Sequence, residues 1–164
     1  MTSTRVETVI ADALPQLLAY FIRRVDHRDD AADLLGATLE SAWKASRRMP
    51  HDPVEARMWL FGVARNSLLH HHRTVRRRDA LVVRLGRSIE STEHNGDSDA
   101  LDVRAAVAAL PTDLGELIRL IHWDGFTFEQ ASSHLGVSAS TLRTRHSRAK
   151  RLLQAALTES DILA

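Results

Sequence analysis

The sequence reads as an all-α protein of two small helical domains joined by a flexible acidic linker. Three observations carry that expectation. Apolar residues recur at three- and four-residue spacing in both halves of the chain, the period of a helix with one buried face. Ala, Leu and Arg, all strong helix formers, dominate the composition. No stretch shows the sustained apolar–polar alternation of a half-buried strand.

In chain order, Leu14, Leu17, Leu18, Phe21, Ile22 and Val25 make one amphipathic helix. Asp29 or Asp30 can cap the next, which runs to about Arg48 with Leu34, Leu35, Thr38, Leu39, Ala42 and Trp43 on its faces. Met49-Pro50-His51-Asp52-Pro53 breaks it, because two prolines in five residues cannot continue a helix. A third helix starts near Pro53 or Val54, carries Met58, Trp59, Leu60, Val63, Ala64 and Leu68, and ends in the basic run from His70 to Arg78. Residues 86–99 then turn polar, acidic and turn-rich, a longer structureless stretch than one compact domain normally holds. This composition places domains at 1–80 and 101–164 with a linker over 81–100. The second domain opens with a helix through Val103, Val107 and Leu110, and Pro111-Thr112 starts another bearing Leu114, Leu117, Ile118 and Ile121.

Residues 126–151 form the most informative segment. Thr127 can cap a short helix, with Gln130 as the reciprocal partner of a capping box and Phe126 and Ala131 placed for a hydrophobic staple. Gly136 follows Leu135 where a left-handed residue must end that helix. Ser138 caps a second helix whose inner stripe is Leu142, Ala149, Leu152 and Leu153. Ser140, Thr141, Arg143, Thr144, Arg145, Arg148 and Lys150 are left facing outward or flanking the rim, and no acid occurs between Glu129 and Glu159. This is a helix-turn-helix with a second helix of one sign, suited to nucleic acid.

The net charge is only +1, but the bases gather at 73–78 and 143–151 and the acids elsewhere, so local fields favour phosphate contact despite the balanced total. The lack of cysteine excludes disulfides and thiolate zinc sites. With no apolar leader and no apolar run near ~20 residues, the sequence predicts a cytoplasmic protein without membrane insertion. His70-His71-His72 cannot converge on one metal ion, since consecutive helical positions point ~100° apart. Trp43, Trp59 and Trp123 lie among apolar neighbours and read as core. No metal, cofactor or nucleophile–base constellation is expected, and the chain does not read as an enzyme.

These landmarks resemble the extracytoplasmic-function sigma factors of bacterial RNA polymerase. Ala109-Leu110-Pro111, Leu117-Ile118-Arg119-Leu120, Gly125 to Ala131, Leu135-Gly136-Val137-Ser138 and Thr141 to Arg145 look like that family's region 4. Ala32-Asp33-Leu34-Leu35 with Thr38 and Trp43 is similar to the polymerase-binding helix of region 2, and Trp59 to Asn66 to its promoter-melting helix. The resemblance implies a factor that directs polymerase core to promoters and assists melting, with polymerase core, promoter DNA and an anti-sigma factor as partners. It assigns the −35 element to Ser138, Ser140, Thr141, Arg143, Thr144, Arg145, Arg148, Lys150 and Arg151, with Arg143 and Arg145 at base edges. The −10 element falls to His51, the planar candidate in the loop from Met49 to Glu55 where the family captures an extruded base, and to Arg57, Asn66, Ser67, His70 and Arg73. Polymerase contact falls to Asp33, Leu34, Leu35, Thr38 and Leu39.

One departure stands out: the family usually carries Gln and an acid where this chain has Gly36-Ala37. Either the remaining residues relay the grip on core or core is bound weakly. A polymerase-independent helix-turn-helix regulator and a degenerate sigma factor are the alternative readings.

Overall fold

The structure, a computed structural model, describes residues 2–86 and 98–163. Its helices are α1 (Thr2–Ile22), α2 (Arg28–Lys44), α3 (Pro53–Arg84), α4 (Ser98–Ala109), α5 (Thr112–Ile118), α6 (Phe128–Leu135) and α7 (Ala139–Leu163), with a short 3₁₀ turn at Ser46–Arg48 and a π-type turn at Arg119–Trp123. No strand occurs among the described residues. The chain divides into two compact units, Met1–Thr92 and Glu93–Ala164. The expected linker falls largely on residues 87–97, outside the described residues.

In the first unit, α1, α2 and α3 pack pairwise. Val6, Ala13, Leu17, Tyr20 and Phe21 of α1 are buried against Ala31, Leu34, Thr38 and Ala42 of α2 and Ala56, Leu60, Phe61, Ala64 and Leu68 of α3. Tyr20 meets the edges of Phe21 and Phe61 at centroid distances of 5.5 and 5.4 Å, the T-shaped geometry that ring quadrupoles favour.

Several helix boundaries differ from those expected of the sequence. α1 begins at Thr2, well before the stripe that starts at Leu14, and Val25 lies beyond its end. Neither Asp29 nor Asp30 caps α2: His27 is the N-cap without a side-chain bond, and both acids sit in the first turn, where they favour the helix dipole. α2 stops at Lys44, short of Arg48. α3 runs past Arg78 to Arg84, a rod of ~48 Å at 1.5 Å per residue. Its start follows local rules: Pro53 opens the helix, and the Asp52 carboxylate accepts from the Glu55 amide at 3.0 Å.

In the second unit, Val107, Leu114, Ile118 and Ala149 form a buried cluster with Leu110, Trp123 and Leu153 packed on it. Gly115 allows α4 and α5 to approach closely, since a Cβ there would stand 3.1 Å from the Val107 carbonyl oxygen. The π-type turn, closed by the Asp124 amide on the Arg119 carbonyl at 2.9 Å, carries the chain from α5 towards α6.

Candidate nucleic-acid interface

In the second unit the helix-turn-helix follows from local bonds. The Gln130 amide donates to Thr127 Oγ1 at 3.1 Å and the Thr127 amide to Gln130 Oε1 at 3.0 Å, completing the capping box. Phe126 and Ala131 are both buried, as a staple requires. Gly136 ends α6 at φ +69°, a conformation costing a Cβ-bearing residue ~1–2 kcal/mol. At the start of α7 the Thr141 amide donates to Ser138 Oγ at 3.3 Å, and the Ser138 hydroxyl also donates to Thr141 Oγ1 at 2.8 Å.

Leu142 and Ala149 turn inward. Leu152 does not: it is 39% exposed, correcting its place in the inner stripe, because it lies ~80° round the helix from Leu142. Ser138, Ser140, Thr141, Arg143, Thr144, Arg148, Lys150 and Arg151 are all exposed. Arg145 is half-buried on the flank, with Nη1 3.8 Å from Asp113 Oδ2, so the two candidate base readers are not equivalent. Arg143 points outward but is held: Nη2 donates to Glu129 Oε1 at 2.7 Å, and Cζ lies 5.3 Å from the Phe128 ring centroid. Its own backbone amide and the Arg143 guanidinium keep the Glu129 carboxyl below the usual carboxylate range.

Next to this pair, Phe128 stands edge-on to His146 at 5.3 Å. The His146 and His122 rings stack at 5.1 Å, with their Nε2 atoms 2.8 Å apart. One ring must donate and the other accept, so the contact cannot survive with both imidazoles protonated. Burial, then the charges of His122 and Lys150, push the His146 pKa down.

In the first unit the expected −10 residues do not share one surface. Asn66, His70 and Arg73 lie exposed along one face of α3, within ~40° of Asn66. Ser67 is half-buried ~100° away. Arg57 lies on the opposite side of α3, ~180° from Asn66, half-buried. Its Nε donates to Gln16 Oε1 on α1 at 2.7 Å and its Cζ lies 4.7 Å from the Phe61 centroid. Arg57 thus joins α1 to α3 on a different side of the helix from Asn66, His70 and Arg73. His51 is exposed in the loop before α3, and the neighbouring Met49 is buried. The guanidinium of Arg5 reaches the backbone of this loop, which the sequence reading missed.

On α2 the polymerase-facing set also divides. Asp33 is exposed and Leu35 and Leu39 are half-buried, but Leu34 is nearly buried and Thr38 wholly so. The assignment of Leu34 and Thr38 to a partner is corrected: spaced i, i+4 on the stripe completed by Ala42, they pack inward. Trp43, expected in the core, is 49% exposed, being ~100° from the buried Ala42. It shares the outer side of α2 with Gly36, Ala37 and the Glu40–Lys44 ion pair. Trp59 is half-buried and Trp123 packs on the second core.

Among the described residues no group of three or more His, Cys, Asp or Glu is placed to hold a metal ion, and no helix is long and apolar enough to cross a membrane. Arg5, Asp113 and the His122–His146 pair carried no signal in the sequence, because each contact joins residues far apart in the chain.

Residues 9–78 match the family description Sigma-70 region 2, and residues 100–153 match Sigma-70, region 4. The chain is 29% identical over 150 residues to the ECF RNA polymerase sigma factor SigL of Mycobacterium tuberculosis, covering 89% of this chain and 85% of SigL. It is also 29% identical over 161 residues to EcfG of Rhodopseudomonas palustris, covering 96% of this chain and 87% of EcfG. Among solved structures, the sigma factor RpoE of Bartonella quintana, co-crystallised with the anti-sigma factor NepR, aligns at TM-score 0.73 and 30% identity over 93% of this chain and 96% of that one. With both halves matched in order and a relative that aligns over nearly the whole length, the chain belongs to the extracytoplasmic-function sigma factors of bacterial RNA polymerase.

Proposed function

We propose that this protein directs bacterial RNA polymerase core to specific promoters in the cytoplasm and assists strand separation, without covalent chemistry of its own. The observation that carries the reading is the pairing of a capped helix-turn-helix bearing an exposed basic second helix with a three-helix unit that matches region 2. Residues 101–164 would form the −35 domain and 1–80 the core and −10 domain, joined by a linker over 81–100 whose two ends continue α3 to Arg84 and open α4 at Ser98.

On α7, Arg143 is the favoured reader of a base edge, where a bidentate Arg–guanine pair discriminates by ~1–3 kcal/mol. Arg148, Lys150 and Arg151 hold phosphates and set register, and Arg145 supports from the flank. Ser138, Ser140 and Thr141 offer hydroxyls at the helix N-terminus, and Thr144 lies on the outward face. For the −10 element we favour His51, Asn66, Ser67, His70 and Arg73. Polymerase core meets α2 through Asp33, Leu35 and Leu39, with Trp43 added by its exposure. An anti-sigma factor is proposed as a further partner, since RpoE of Bartonella quintana is co-crystallised with one.

The test is in vitro transcription with purified core polymerase on a pooled promoter library, with and without this protein. Start sites that depend on the protein are expected, and a shared sequence upstream of them would define both promoter elements. Binding to DNA alone, as a dimer and without core, would instead establish an independent regulator.

A further inference from the structure

Among the described residues, the loop that carries His51 is held from within only at its two ends, by the Met49 amide on the Ser46 carbonyl at 3.1 Å and by the Asp52 cap on the Glu55 amide at 3.0 Å. Pro50 and Pro53 supply no N–H, so the loop cannot knit itself with amide donors at those positions. A side chain from the far end of the unit takes up its carbonyls. Arg5 Nη1 donates to the Pro50 carbonyl at 2.7 Å and to that of His51 at 3.4 Å, while Nη2 donates to that of Met49 at 3.4 Å. Three consecutive carbonyls thus converge on one guanidinium, from residues 44 to 46 positions later in the chain. Apolar anchors flank both sides of the contact: Val6, beside Arg5, is 2% exposed, and Met49 is 4% exposed. The match to region 2 begins only at residue 9, so Arg5 lies outside the segment that carries the family's pattern.

We propose that Arg5 is a positioning residue for −10 recognition: it clamps the Met49–His51 backbone so that the base-capturing surface exists before DNA arrives. This rests on the reading of that loop as the −10 reader. Capturing an unstacked base consumes a few kcal/mol, and a loop that also had to be ordered on binding would lose further affinity and selectivity. The guanidinium suits the task because its planar fork addresses several acceptors at fixed angles, whereas the ammonium of lysine is a compact point donor. An Arg that touched DNA phosphate would act differently, adding about one counterion to the salt dependence and nothing to selectivity.

The experiment uses full-length protein with core polymerase on a promoter pool randomised in the −10 and −35 elements. Arg5→Gln, Arg5→Lys and the loop variant Pro50→Gly/His51→Ala are compared with the native chain. Arg5→Gln is expected to flatten −10 base preference roughly tenfold, with −35 preference, core affinity and the salt slope of DNA binding unchanged. Arg5→Lys, which keeps the charge and the stem, guards against misfolding and is expected to lie between. An unchanged −10 profile in Arg5→Gln overturns the clamp if the loop variant does alter it. If the loop variant also leaves it unchanged, the reading of the loop fails and the proposal falls with it. A uniform loss across all promoters with a salt slope lowered by about one would make Arg5 a phosphate contact and overturn the proposal.

Discussion

Single side chains in the second unit are held by partners within that unit. Glu129 bonds Arg143 at 2.7 Å over the face of Phe128, so the outward arginine is oriented yet opposed by a nearby negative charge. Glu129→Gln should raise non-specific DNA affinity severalfold while lowering the ratio of specific to non-specific binding, as read by competition titration at fixed salt. The melting temperature should barely move, because exposed ion pairs contribute little. His146 adds a pH dependence. Its folded pKa lies below the ordinary imidazole value, so between the two values the unfolded chain binds more protons and stability rises with pH. The contribution is complete above ~6.5 and is lost as pH falls towards the folded value. Acidifying the full-length protein from ~7.5 to ~5.5 should therefore lower the melting temperature of the helix-turn-helix unit. His146→Gln should flatten that slope, and an unchanged slope would remove His146 as its source. In the first unit, the buried Thr38 hydroxyl has no hydrogen-bond partner among the described residues. Thr38→Val is thus expected to stabilise by ~1 kcal/mol in chemical denaturation and to leave core affinity unchanged.

At the level of whole helices, two glycines act in opposite directions. Gly136 ends α6 in the left-handed region, and Gly136→Ala should destabilise by ~1 kcal/mol or more. Gly36 lies inside α2 on its exposed side, where a Cβ would meet nothing within 4 Å. Gly36→Ala should stabilise by up to ~1 kcal/mol. Urea titrations of the two variants give opposite shifts if the backbone reading is right. The sequence places the end of the third helix in the basic run from His70 to Arg78. Yet Arg, Ala, Leu and Val contain no breaker, and α3 continues to Arg84. Its last turns expose Leu81 and Val83, and Leu85 just beyond its end is exposed too, an apolar stretch that pattern alone had not placed on a helix.

For the molecule as a whole, the balanced net charge hides a division of labour. The exposed bases of α7 stand in one unit and the α2 face with Trp43 in the other, each over its own buried cluster. Fragments 1–92 and 93–164, expressed separately, should split the activities: core affinity with the first and −35 DNA affinity with the second. Mixed together they should initiate far less than the intact chain, since the tether supplies an effective concentration of about millimolar order. Equal transcription from the mixture would show that linkage contributes nothing.

What could be read without coordinates were features enforced within a few residues. The Thr127–Gln130 box, the glycine end of α6 and the Asp52-Pro53 start of α3 follow from hydrogen bonds and sterics between near neighbours, and the 3,4 spacing of leucines from the helix period. The all-α architecture and the helix-turn-helix were legible for that reason. Which side of α2 faces inward was not, because its apolar residues lie on more than one side, Leu34 and Trp43 standing ~180° apart, and only the packing of α1 and α3 selects between them. Nor was the inward turn of Arg57 to Gln16, the grip of Arg5 on Met49–His51, the restraint of Arg143 by Glu129, or the meeting of His122 with His146. Each of these joins chain positions that no local rule relates, and their contact depends on how separate helices pack to bury their apolar faces together.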